Sequence, residues 1–296
     1  LTVTSASTAT LNGVVDIDSA LTITAGSASL NDNVTSGDLQ VTTTAATTVT
    51  GMVNSSGTID LDAATLTQNG SMTAQGAVSI DVANPLVLNQ NVTSGGTTTI
   101  TVTAPDATGS LPFTLSSGVT LSSTAGTLTI RADDMRLDGA ITATGQTVQL
   151  RQHRDARSIQ LGGPDGTTNE LEISDAELDV ITASLLRIGH SAAGTIEVSS
   201  EVVSPANVAT LSLITGASLN DVGAGALSVS SLAVQAAGSV LLDNTGDISF
   251  VAGIVSGPGN SFTLTNEDNG FAIGSGIDGL TGITTANNTS GNTGSI

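Results

Sequence analysis

The chain has 296 residues, with 26 Asp or Glu against six basic residues, all of them Arg, and a formal net charge of −20. A polyanion of this kind repels nucleic acid and anionic lipid, so neither is expected as a partner. Cysteine is absent, which removes disulfides and thiolate metal sites, and no apolar run approaches the roughly 18 residues of a membrane helix.

Residues 1–10, LTVTSASTAT, alternate from the first position. Short period-two runs follow at Leu21 and Ile23, Leu39 and Val41, Ile59 and Leu61, Val78, Ile80 and Val82, Ile100 and Val102, Leu128 and Ile130, and Val148 and Leu150. Each is a strand signal, with aliphatic residues on one face and Thr, Asp, Ser or Gln on the other. Gly, Asn and Ser fill the gaps, where turns need positive φ or local side-chain hydrogen bonds. From residue 174 two readings compete. Ser174 and Glu177 have the spacing of a capping box, whereas Ile181, Leu186 and Ile188 fit a strand. Beyond it the rhythm resumes at Ile196 and Val198, Leu211 and Leu213, Leu227 and Val229, Ile248 and Phe250, and Phe262 and Leu264.

The runs belong to a repeat. Residues 30–42 (LNDNVTSGDLQVT) return at 88–103 (LNQNVTSGGTTTITVT) after 58 residues. Shorter echoes begin at Leu11, Leu30 and Val49, 19 apart, then more loosely at Leu66, Leu88, Leu115 and Leu137. The interval of 58 is therefore three coils. Two or three short strands per coil cannot close a core alone, but stacked coils bury every inward row. The expected fold is all-β, a parallel β-helix of about 15 coils at about 4.8 Å per coil. Four Phe and no Trp or Tyr imply a narrow core of Val, Ile, Leu and Ala. One solenoid domain is expected over 1–285, with 286–296 as a polar tail, linker or docking strand. Neither end reads as a cap, so further coils or a head-to-tail copy are the expected continuation.

The phrasing L-x-x-x-V-T-S-G-x-L-x-V, with ISDAELDVITASLLRIGHSAAGTIEVSSEV from Ile173, resembles the repeat regions of filamentous-haemagglutinin-type surface proteins of bacteria. The resemblance covers most of residues 1–285. It implies a right-handed parallel β-helix exported to the cell surface, acting as a stalk, filament or adhesin; no enzymatic activity is expected of this chain, and no cofactor other than Ca²⁺. The implied partners are further copies or coils of the same repeat and host or matrix glycans. That family's secretion domain carries Asn-Pro motifs, and only Asn84-Pro85 matches them here.

Three groups of residues invite other readings. All six Arg (Arg131, Arg136, Arg151, Arg154, Arg157 and Arg187) fall in one central stretch. A carbohydrate-active β-helix enzyme would need carboxylates among them, and Asp133 and Asp134 are the candidates. Adjacent in a strand, those two would face opposite ways. Residues 151–157 (RQHRDAR) read first as a solvated loop and second, through Arg151, His153, Arg154 and Arg157, as an inter-subunit or ligand contact. Its HRD triplet matches a kinase catalytic loop, but a chain without Lys lacks the phosphate-binding lysine. Asp16 with Asp18 and Asp60 with Asp62 are i, i+2 pairs that should point outward together; Asp278 closes one partial Gly-x-Gly-x-Asp. These are the Ca²⁺ candidates, as in a calcium-binding surface-layer array, against the plain reading of a solvated acidic face. His153 and His190 lack a surrounding ligand set and read as loop residues. Thr22 and Thr24 suggest an ice-binding array, but Asp60/Asp62 and Ser79/Asp81 interrupt it.

Overall fold

The computed structural model describes residues 1–105, 111–163, 169–203, 207–266 and 270–286. The tail expected over 286–296 lies, from 287 onward, outside the described residues. The chain is a parallel β-solenoid that divides into two units, Leu1–Gln146 and Thr147–Ile296.

In the first unit three parallel ladders hold the coils. On one, Leu21, Leu39, Ile59, Val78, Thr98 and Leu128 stack in register. Ile23, Val41, Leu61, Ile80, Ile100 and Ile130 stack beside them, all buried. A second ladder stacks Leu11, Leu30, Val49, Gln68, Leu88, Leu115 and Leu137. The third stacks Val15, Val34, Val53, Met72, Val92, Leu121 and Ile141. Period-two alternation puts every second residue on the core side, and identical spacing in the next coil places an equivalent aliphatic above it.

Leu30 and Leu88 thus lie three rungs apart on one ladder, as the 58-residue echo requires. Coil-to-coil hydrogen bonds span 19 or 20 residues early in the unit, and 27 to 30 from Asn89 and Val92 to Ser116 and Ser122. One member of the sequence repeat is displaced. Gln68, not Leu66, occupies the rung between Val49 and Leu88.

The corners repeat as well. The serine of the second VTSG phrase turns inward and closes its bend: Ser94 Oγ donates to the carbonyls of Gly76 (3.0 Å) and Thr97 (3.3 Å) and accepts from Gly96 N–H (3.1 Å). Ser55 repeats this with Gly37, Thr58 and Gly57. At another corner Gly70 sits so close to the coil before it that a Cβ would overlap the Gly51 carbonyl. Only glycine lets the backbones approach there.

The second unit keeps the solenoid but reorders one strand. Its smaller sheet runs Glu170–Ser174, Ser158–Gly162, Ile196–Val198, Leu219–Asp221, Val240–Gly246, Phe262–Asn266. The strand Glu170–Ser174 thus follows Ser158–Gly162 in sequence but lies on its far side, so the chain doubles back by a rung. A five-residue helix, Asp175–Asp179, then turns it. Both readings of that window hold. Ser174 and Glu177 form the capping box, with Ser174 N–H donating to Glu177 Oε2 at 2.9 Å, and the strand Ile181–Gly189 begins two residues past the helix.

A long ladder carries Ile181–Gly189, Val208–Thr215, Ala226–Ala236 and Ile248–Val255. The expected alternation fails in the last of these. Ile248 is buried but Phe250 is 50% exposed, because the inward phase moves to Val251, which stacks on Leu232. Likewise Phe262 is buried while Leu264 is only partly so.

Candidate functional site

The central Arg residues separate into small local networks. In the first unit Asp133 and Asp134 lie in the bend between the strands Leu128–Arg131 and Met135–Leu137. Both are buried instead of facing opposite ways from a strand, because a bend does not alternate, and Asp134 caps Met135 N–H at 2.9 Å. Arg136 is exposed and pairs with exposed Asp138 at 2.8 Å, a contact worth little in water.

In the second unit the segment 151–157 is a corner. Arg154 and Asp155 are exposed, Arg151 and His153 half-buried, and Arg157 is buried with Nη2 donating to the Glu170 carbonyl at 2.7 Å. The neighbouring corner comes against it: Ala156 N–H donates to the Ala192 carbonyl (2.7 Å), Gly194 N–H to the Arg157 carbonyl (2.8 Å), and His190 Nε2 lies 3.9 Å from Asp155. Glu172 is completely buried, and Gln160 separates it from Glu197 on the rungs. Burial raises the Glu170 carboxyl above the ordinary glutamate range, with Glu197 and Glu172 adding to the shift and Arg157 opposing it. The reordering of Glu170–Ser174 is what brings these acids to Arg157, and nothing in the local sequence signals it.

The acidic pairs do point outward, but they do not stack on one another. Asp16 and Asp18 are exposed, and Asp16 stands opposite Thr35 on a different ladder from Asp60 and Asp62. Asp60 accepts from Gln40 Nε2 at 3.3 Å, and Asp62 is exposed and sits opposite Asp81. Among the described residues no group of three or more His, Asp or Glu is placed to hold a metal ion. On the same ladder Thr22 and Thr24 meet Gln40 and Thr42, then Asp60 and Asp62, then Ser79 and Asp81, so the threonine array is interrupted in space as in sequence.

Charge still sets a measurable property. At low ionic strength the Debye length is about 30 Å, against about 8 Å at physiological salt, so the repulsion of a −20 chain is screened as salt rises. Burial, partly offset by the N–H groups of Asn244 and Asp243, also raises Asp221; burial raises Asp175 against the Val203 N–H. A raised folded-state pKa means that stability is gained as pH falls through it. The melting temperature is therefore expected to rise with added salt at pH 7, and to be higher near pH 5 than at pH 7 at low salt. Flat dependence on both in differential scanning calorimetry would refute a repulsive surface.

Asp278 has its own environment. It lies, at φ 47°, at the turn of a hairpin whose strands are Ser275–Ile277 and Leu280–Thr281. Both its oxygens are engaged: Arg187 holds the carboxylate in a fork, with Nε at 2.9 and 3.1 Å and Nη2 also in contact, and Ser212 Oγ donates at 2.6 Å. Burial pushes its pKa up, but the hydrogen bonds from Arg187 and Ser212 outweigh this and hold it below the ordinary aspartate value.

The remaining exposed feature is backbone. The ten-residue strand Thr2–Leu11 pairs only with Leu21–Leu30 among the described residues, which leaves its other side open. In the second unit, among the described residues, Phe262–Asn266 pairs only with Val240–Gly246, and Ile283–Thr285 only with Ile248–Val255. No helix among the described residues is long and apolar enough to cross a membrane. Comparison with protein-family models, with curated proteins and with solved structures finds no match to this chain.

Proposed function

We propose that this chain is a non-enzymatic structural protein, a β-solenoid segment of an extracellular surface filament, stalk or adhesin that extends by adding coils end to end. The resemblance to filamentous-haemagglutinin-type repeats supports the reading, and one observation carries it. The open side of Thr2–Leu11 contains no charged residue and no proline, the devices by which soluble sheets protect their edges. Its unpaired N–H and C=O groups offer a template for another parallel strand, supplied by a further coil or a second copy. Burial of Glu172, Asp133 and Asp134 favours a structural over a catalytic role for the charged corners.

Light scattering and electron microscopy of the 296-residue chain test this. Fibres that lengthen with concentration are expected, together with their loss in a variant carrying Thr4→Lys and Thr10→Lys, both exposed edge positions. Monodisperse monomers of the parent chain at high concentration would overturn the reading.

A further inference from the structure

The hairpin that carries Asp278 interrupts a rung. Ile273 pairs with Val251 and Ile283 with Gly253, so the two short strands flanking the hairpin continue one rung along Ile248–Val255. Between them the chain leaves through a closed neck: Gly282 N–H donates to the Gly274 carbonyl at 2.9 Å, Gly274 N–H to Val251 at 2.7 Å, and Gly253 N–H to Gly282 at 2.9 Å. Residues 275–281 then lie back over the outer face of the coils beneath. There the outward positions are Ala252, Ala233 and Ser212, stacked rung on rung, with Arg187 next in the column. All three small residues are completely buried, and Leu280 and Ile277 pack against the two alanines.

The lengths agree. From the neck at Gly274 to the tip at Asp278 is four residues, about 14 Å at about 3.4 Å each, and three rung spacings of about 4.8 Å span the same distance from the rung of Gly274 to that of Ser212, where the Arg187 side chain meets the tip from the next rung. A side chain longer than Ala or Ser in this column would lift the hairpin. A shorter hairpin would not reach Arg187.

We propose that residues 275–281 form a strap that ties the rung 272–285 to the strand Ile181–Gly189 and controls whether that rung stays paired or frays. Its latch is the Arg187–Asp278–Ser212 contact. An isolated rung pairs on one side only and opens easily; the strap couples its opening to the loss of apolar contacts one and two rungs away and of a half-buried ion pair to a strand four rungs away. Whatever strand pairs with the side of Ile283–Thr285 that no other described strand covers meets an edge that the strap holds in place.

Hydrogen exchange followed by mass spectrometry on the full chain tests this with Asp278→Asn, and independently with Arg187→Lys, which keeps the charge but loses the fork. The expected result is at least about tenfold faster exchange in 250–255 and 283–285, with residues 21–102 unchanged. Acceleration confined to 275–281 would mean that the hairpin detaches without consequence, and would overturn the proposal. So would wild-type exchange throughout, or acceleration that extends to residues 21–102.

Discussion

Replacing Ile80 by Asp is expected to destabilise the first unit by about 4 kcal/mol or more, the cost of a buried charge without a partner. Ile80 is completely buried between Leu61 and Ile100, so an aspartate there meets aliphatic side chains on both rungs. It must either ionise in the core or take up a proton, and both are costly. Ser79→Asp, one position away on the outer face, is the control. That carboxylate meets water and costs below about 1 kcal/mol, most of it repulsion from Asp60 on the adjacent rung. Urea melts of the two variants decide the matter, and equal midpoints would mean that the assigned inward register is wrong.

Gln68→Leu is the second large effect, and its direction runs against the repeat. Leucine stands at five of the six other positions of this column, so a consensus argument makes the substitution stabilising. Gln68, however, is completely buried and fully bonded. Its Nε2 donates to the carbonyls of Gly70 (2.8 Å) and Gln90 (3.0 Å), and its Oε1 accepts from the N–H groups of Asn89 (2.9 Å) and Gln90 (3.0 Å). Leucine would leave those backbone groups without their partner, and each buried polar group so orphaned costs roughly 1–3 kcal/mol. A net loss of about 3 kcal/mol is expected from the same urea melts, and a gain in stability would show that water replaces the amide. Thr98 supplies the contrast. It too stands in an apolar column and is completely buried, but its hydroxyl has no hydrogen-bond partner, so Thr98→Val should raise stability by about 1 kcal/mol.

The difference between Gln68 and Thr98 shows where sequence reading stops. A polar residue in an aliphatic column is visible in the sequence. Whether the neighbouring coil presents groups to satisfy it depends on the path of residues 89–90, more than 20 positions away.

By itself the sequence determined the strand class, the coil length and the inward residues of most rungs, because alternation and a near-constant repeat are local properties that stacking only multiplies. It also carried the capping box of Ser174, which needs four residues and nothing more. Tertiary structure decided the rest. The shift of phase at Phe250, the doubling back of Glu170–Ser174 beside Arg157, and the burial of Asp133 and Asp134 each arise where a coil departs from the repeat, and a periodic signal carries no information about such a departure. The strap is the clearest case. Glycines at 274, 276, 279 and 282 announce a turn, and Ser212, Ala233 and Ala252 are small, but these signs lie far apart in the chain. Only the stacking of rungs at a fixed spacing places them in one column under the hairpin, with Arg187 within reach of Asp278.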